Sequence, residues 1–279
     1  MSFGLLREFA SYPAVLGKLL RHKKVMEWTR VPYGGHKDQY LLYFAPSAPA
    51  KDKSIIYIHG GGWNSGTPAM FTFIGQYFAL AGYHCILPGY RKTPQYRYPA
   101  QIEDVCAGCR KGMEYLEEQG ANGSRTVVVG SSAGAHLGAL LCYDAELQRR
   151  FGIDPERLAG FAGLGGVYDF AAASTWSLDH MIKDLFSPGY DREKAEPIHR
   201  LTPGQKVPML VIHGKSDGVV GYRNAADFCA RAQAMGIPAG FYTVPPKGDT
   251  HSVYSAGIFL ETRDSSPALD RLLNWMEEL

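Results

Sequence analysis

Four short runs of this chain are apolar at every position, at residues 55–58, 85–87, 127–129 and 209–212. A strand with one wet face alternates apolar and polar residues. An unbroken run instead fits a strand covered on both faces, as in a parallel sheet flanked by helices. Segments with helical spacing lie between the runs. The clearest starts at Pro99 and puts Ile102, Val105, Cys106, Cys109, Met113 and Leu116 on one stripe, with Gly120 just past its end. This alternation predicts an α/β doubly wound architecture: a mostly parallel central sheet of about eight strands, with helices on both faces.

Two less regular strands, at 26–32 and 39–44, are expected to open the sheet as an antiparallel hairpin around Tyr33, Gly34 and Gly35. Later strands are expected at 158–164 and 240–244, and helices at 224–235 and 266–278. Residues 170–206 fit neither period and mix Pro, Gly, charges and aromatics. A stretch of this kind reads as a small insertion after the sixth strand, lying over the sheet edge, with a short helix near 178–185. Residues 1–24 read as an N-terminal helical segment, and without internal repeats the expected organisation is a single domain over 1–279.

Composition narrows the partners. A net charge of +2 with no long basic run gives no footprint for a nucleic-acid backbone. No apolar run approaches the roughly 18 to 20 residues of a membrane span. The basic cluster Arg21, His22, Lys23 and Lys24 follows the apolar residues instead of preceding them, the reverse of a secretory signal, so the expected location is cytoplasmic. Five cysteines are an odd number, which argues against a disulfide framework. Cys106 and Cys109 have C-x-x-C spacing but lie in a helical pattern with no second pair nearby, so they read as packed thiols and no metal is expected.

The segment Gly130-Ser131-Ser132-Ala133-Gly134 follows a buried strand and opens a helix of small residues. This is G-x-S-x-G in the strand–turn–helix setting that exposes a serine hydroxyl above a sheet. A plain Gly/Ser turn is the simpler alternative, but other motifs accompany this one. His59-Gly60-Gly61-Gly62-Trp63 follows the strand at 55–58. Glycine backbones can bring N–H groups close to a developing oxyanion, so Gly61, Gly62 and Ala133 are the expected donors. The turn lacks the Lys and Ser/Thr of a phosphate loop, which disfavours nucleotide binding.

Serine needs a base, and the base a carboxylate. On a sheet carrying such an elbow the chain order is serine, acid, histidine. Asp217 lies in the loop after the strand at 209–212, and His251 is the only histidine in the loop after 240–244. Ser132, Asp217 and His251 are therefore the candidate nucleophile, acid and base. Asp169 and Asp249 are rival acids by loop position, the first one strand too early and the second too close to His251 in sequence. Chain order disfavours His22, His36, His180 and His199. His59, His84, His136 and His213 read as structural histidines.

The four blocks 59–63, 90–104, 130–137 and 213–220, with His251 beyond, resemble the α/β-hydrolase superfamily. The likeness is specifically to its hormone-sensitive-lipase-like and feruloyl-esterase-like branch, which includes kynurenine formamidase. Gly130 to Leu137 is similar to the elbow of the formamidase and feruloyl-esterase-like members. The resemblance implies the α/β-hydrolase fold, the same triad, the same oxyanion donors and no cofactor. Ser131 departs from relatives that often carry Asp, His or Glu before the nucleophile, and Gly221 stands where many have Pro or another residue packing the acid loop.

The activity so implied is a serine carboxylesterase acting with water on small or medium apolar or aromatic esters, and losing rate at acid pH as its base protonates. An arylformamidase-type amide hydrolase and a non-catalytic binding protein on the same scaffold are the alternatives. Trp63 and Tyr168 are expected to contact substrate, with Phe71, Phe73, Trp176, Met181, Phe186 and Tyr190 as further pocket candidates. Leu5, Leu6, Phe9, Leu16, Leu19 and Leu20 suggest an amphipathic helix that covers the cleft, forms a homodimer contact or, least favoured, rests on a membrane surface.

Overall fold

The computed structural model describes residues 3–22, 26–47, 49–123 and 125–279. Met1, Ser2, Lys23, Lys24 and the side chains of Leu5 and Phe9 lie outside the described residues. The strands are β1 (Thr29–Pro32), β2 (Tyr40–Phe44), β3 (Ser54–Ile58), β4 (His84–Pro88), β5 (Thr126–Ser131), β6 (Leu158–Leu164), β7 (Met209–Gly214) and β8 (Ala239–Val244). They form one sheet in the order β1-β2-β4-β3-β5-β6-β7-β8. β1 pairs antiparallel with β2, and β2 with β4; all other neighbours are parallel. The opening hairpin is thus formed as expected, with β1 shorter than the expected 26–32.

The helices are α1 (Phe3–Arg21), α2 (Thr72–Leu80), α3 (Ala100–Glu118), α4 (Ala133–Tyr143), α5 (Ala145–Phe151), α6 (Trp176–Leu185), α7 (Tyr222–Ala234), α8 (His251–Ser255) and α9 (Pro267–Glu278). Successive strand residues point to opposite faces of the sheet, so the unbroken apolar runs supply two cores. Ile56, Ile58 and Val128 join one cluster with Ile102 and Val105 of α3, Leu137 and Leu140 of α4, and Phe228 of α7. Ile55, Tyr57, Val127 and Val129 join the other with Ile74 and Phe78 of α2 and Leu269 and Leu272 of α9. Each fully buried aliphatic side chain contributes about 1.5–3 kcal/mol.

Local chemistry sets several helix ends. The Asp144 side chain accepts from Glu146 and Leu147 N–H to start α5, and Ser266 caps α9 with Pro267 at its first turn. Pro99 sits at the N-cap of α3 rather than inside it, and Gly120 follows the helix at φ +74°. The expected stripe of α3 is buried throughout.

The insertion differs from the expectation in where it lies. It covers the C-terminal ends of the central strands, not an edge. The Leu185 carbonyl accepts from Tyr98 N–H at 2.8 Å, and the Ala195 carbonyl from His136 Nε2 at 2.7 Å. The physical reason is that α6 buries Leu178, Ile182 and Leu185, one stripe at helical spacing, in the core cluster that also holds the apolar residues of α3 and α4. Helix α1 packs on α8 and on the short 3₁₀ turn Gly257–Leu260, while Leu6, Tyr12, Leu16 and Leu20 remain exposed.

Phe161 at the centre of β6 is fully buried and meets Tyr143 edge-on at 6.0 Å. Replacing Phe161 with Ala is expected to cost about 3–5 kcal/mol of unfolding free energy, read from urea denaturation. A loss under about 1 kcal/mol would contradict this packing.

Candidate active site

The parallel strands all deliver their C-terminal ends to one rim, and the candidate residues lie there. β5 runs directly into Ser132, which sits at φ 54° and ψ −122°. Positive φ is costly for a residue with a Cβ, so the surroundings must enforce it. Ser132 N–H donates to the Leu164 carbonyl at 2.8 Å, and α4 starts at the next residue. The flanking glycines leave no room for anything larger: a Cβ on Gly134 would lie 2.0 Å from the Ile58 carbonyl oxygen, and one on Gly130 2.5 Å from that of Gly134. The two glycines of G-x-S-x-G are therefore steric requirements. Ser132 is half-buried, and among the described residues its hydroxyl makes no hydrogen bond, to His251 Nε2 or to any other group.

β3 neighbours β5, which brings the glycine turn beside this elbow. A Cβ on Gly60 would fall 3.1 Å from Ser132 Cβ and 2.8 Å from the Ser131 carbonyl oxygen. Gly61 and Gly62 have φ of +119° and +57°, and the turn is closed by Asn64 and Ser65 N–H donating to the Gly61 carbonyl at 3.1 and 2.9 Å. No hydrogen bond from the N–H groups of Gly61, Gly62 or Ala133 closes within the described residues. His59 anchors the base of the turn. Its ring lies between Tyr90 and Phe71 at 4.5 and 5.4 Å, its Nδ1 donates to the Gly60 carbonyl at 2.8 Å, and burial pushes its pKa down to about 3, keeping it neutral.

Asp217 and His251 meet although 34 residues separate them. The Asp217 carboxylate is fully buried and accepts from His251 Nδ1 at 2.7 Å. Its other oxygen accepts from Val219 and Val220 N–H at 2.8 Å each, and Tyr254 OH donates to the oxygen that faces His251. Burial alone would raise the Asp217 pKa, but His251, His213 and Tyr254 together hold the carboxyl below the usual range. For His251 burial favours the neutral ring, and the Asp217 charge and hydrogen bond, with Glu8, outweigh it and raise its pKa. With the Nδ1 proton committed to Asp217, Nε2 carries the basic lone pair. The imidazole packs on Gly165, where a Cβ would lie 2.9 Å from its Cε1. Gly165 follows Leu164, the residue whose carbonyl holds Ser132.

The rival acids serve the loops instead. Asp169 accepts from Ala172 N–H at 2.8 Å, and Asp249 accepts from Ser216 N–H at 3.2 Å and pairs with Arg7 at 2.9 Å. His136 accepts from Trp63 Nε1 at 3.2 Å, and His84 bonds Tyr43 OH at 2.8 Å, both structural as expected. His59 and His213 each leave one buried ring nitrogen without a partner among the described residues.

Two expected substrate contacts are corrected. Trp63 is 1% exposed, held edge-on against His136 and beside Phe170, and Tyr168 is 0% exposed and stacked on Phe228 at 4.3 Å. Both rings pack in the core and offer no surface to a ligand; an aromatic ring near a motif satisfies core packing as readily as a pocket. Met181 of α6 stands over the glycine turn, its sulfur 2.2 Å from where a Gly62 Cβ would be. Trp176 is 69% exposed. Tyr254 was not anticipated, although its position three residues after His251 on a helix was the available signal. Ser131 donates to the Ser255 carbonyl and accepts from Tyr57 OH at 2.8 Å, tying the elbow to the end of α8.

A family model described as BD-FAE matches residues 41–231, a span that includes Ser132 and Asp217 and ends before His251. The chain is 30% identical over 256 residues to Esterase LipC of Mycobacterium tuberculosis, covering 85% of this chain and 62% of LipC. It is 31% identical over 152 residues to Carboxylesterase NlhH of the same species, covering 54% of this chain and 45% of NlhH. The chain thus spans less than two thirds of the length of these relatives. Among solved structures, esterase B of Lactobacillus Rhamnosis superposes with a TM-score of 0.73 at 21% identity, over 99% of this chain and 98% of that one, which shows a shared fold. On the family match and the eight-stranded sheet together, the chain belongs to the BD-FAE family of the α/β-hydrolase superfamily.

Proposed function

We propose that this protein is a serine carboxylesterase acting on small to medium apolar or aromatic esters. The observation that carries the reading is the buried His251–Asp217 pair, 2.7 Å apart, at the same rim as a serine held at positive φ. Ser132 Oγ attacks the ester carbonyl carbon while His251 Nε2 takes its proton. Asp217 fixes the ring's tautomer and stabilises the imidazolium. Negative charge develops on the carbonyl oxygen and is received by the N–H groups of Gly61, Gly62 and Ala133, a reading supported by their having no other acceptor among the described residues; each such donor is worth about 3–4 kcal/mol at the transition state. Collapse of the tetrahedral species breaks the bond to the alkoxy oxygen, which receives the proton from His251. Water then repeats the sequence on the acyl-enzyme, releasing the carboxylic acid and restoring Ser132.

Met181 over Gly62 and Phe71 beside the turn supply an apolar lining, which supports an uncharged acyl or aryl group over a charged one. Relatives that bear the names esterase and carboxylesterase support an ester over a formamide.

A graded series of p-nitrophenyl and aryl esters, run with N-formylkynurenine in parallel, tests the reading. Ester turnover is expected, with Ser132→Ala lowering kcat by on the order of 10⁴-fold or more, and a fluorophosphonate probe should modify the peptide containing Ser132. Turnover that survives in Ser132→Ala would remove the mechanism, and faster cleavage of the formamide than of any ester would replace the substrate class.

The raised pKa of His251 sets the pH dependence, because the base works only when neutral. The kcat/KM for an uncharged ester is expected to fall about tenfold per pH unit on the acid side, with a midpoint above the ordinary imidazole value of about 6.5. A rate flat to well below that midpoint would exclude His251 as the base.

A further inference from the structure

Glu8 lies on α1 at the opposite end of the sequence from His251, and it is 1% exposed. A carboxylate is buried this deeply only with hydrogen-bond donors facing it, and among the described residues those donors are backbone N–H groups of the acid loop and of the start of α8. Oε1 accepts from His251 N–H and from Gly218 N–H, the latter at 3.5 Å, and Oε2 accepts from Ser252 N–H at 3.3 Å. Gly218 directly follows Asp217, so one side chain spans the acid loop and the first turn of α8. The same face of α1 adds further ties. Ser11 Oγ lies 2.9 Å from Ser252 Oγ, and Arg7 pairs with Asp249 at 2.9 Å and donates to the Pro246 carbonyl at 3.0 Å. α1 therefore grips the segment that carries His251 along several residues.

We propose that Glu8 is a positioning residue for the acid–base pair, its carboxylate joining the backbone of the Asp217 loop to that of the His251 loop. The proposal rests on the triad assignment above. The two loops follow the neighbouring strands β7 and β8 and share one side-chain tie, Ser216 N–H donating to Asp249 at 3.2 Å, while the hydrogen bond from His251 Nδ1 to Asp217 fixes only the reacting side chains. Glu8 fixes the main chain behind those side chains, which sets where His251 Nε2 points. A displacement of about 1 Å in such a group can cost roughly a hundredfold in rate. This also gives the N-terminal helix a role, since its side chains hold the segment that carries His251.

The test compares full-length Glu8→Gln, which keeps the side chain's shape but turns an amide group toward backbone donors, with Glu8→Ala. Amide hydrogen exchange over residues 249–255 and 216–219 reports position without reference to chemistry. Faster exchange confined to these segments, with kcat reduced roughly tenfold to a hundredfold and KM nearly unchanged, supports the proposal. A further mark is the acid limb of the pH–rate profile. His251 is faced by Asp217 from the acid loop, His213 from the end of β7, Tyr254 on α8 and Glu8 on α1, so losing the Glu8 charge should move that limb to lower pH.

Unchanged exchange in both segments, or kcat within about twofold of wild type in both variants, overturns the proposal. Faster exchange throughout the sheet in Glu8→Gln overturns it too, because Glu8 would then serve the fold as a whole. If Ser132→Ala retained turnover, the triad reading would fail separately, and locally faster exchange in Glu8→Gln would still support the tie between the two loops.

Discussion

The hydrogen bond from His251 Nδ1 to the buried carboxylate of Asp217 is the interaction on which the rest of the site depends. An ionised carboxylate out of contact with water is tolerated only if its lone pairs are occupied, and Asp217 meets four donors: Val219 N–H, Val220 N–H, Tyr254 OH and His251. With both oxygens occupied in this way the carboxylate has one orientation, and His251 Nδ1 carries the proton that faces it. The direction of both pKa shifts follows. Burial works against each charged form, and their mutual attraction, with His213 and Tyr254 on Asp217 and Glu8 on His251, outweighs it.

Around this pair the fold concentrates its awkward backbone. Ser132, Trp63, Gly61 and Gly62 all have positive φ, and all lie at the C-terminal ends of β3 and β5. The adjacent parallel strands β3 and β5 bring the two turns together, so that a Cβ on Gly60 would lie 3.1 Å from Ser132 Cβ. The contacts that hold them there are made by buried, non-reacting groups: His59 between its two aromatic neighbours, Ser131 linking Tyr57 to the end of α8, and the close-packed glycines. Strain of this kind persists only where packing over-determines it.

Much of this was legible in the sequence, for reasons that differ from residue to residue. The buried strands were readable because parallel strands covered on both faces lose the polar alternation that other strands keep. Asp217 and His251 could be singled out because each lies in the loop after an expected strand and chain order removes most competitors; in the structure they lie in contact. Trp63 and Tyr168 were misread because a ring in the core and a ring in a pocket leave the same trace in one sequence. The insertion's location was hidden because the amphipathic stripe of α6 tells that a face is buried but not against what. Glu8 had no local signal at all: its donors lie 210 to 244 residues away, and only the assembled fold brings them to it.

The most direct measurement is the titration of His251 itself, followed by NMR of selectively labelled histidine in the wild-type protein and in Asp217→Asn. A wild-type pKa above the ordinary imidazole value of about 6.5, falling in Asp217→Asn once Glu8 alone opposes burial, is the predicted result. The same pKa in both proteins would mean that Asp217 does not hold this imidazole, and the account would fail at its centre.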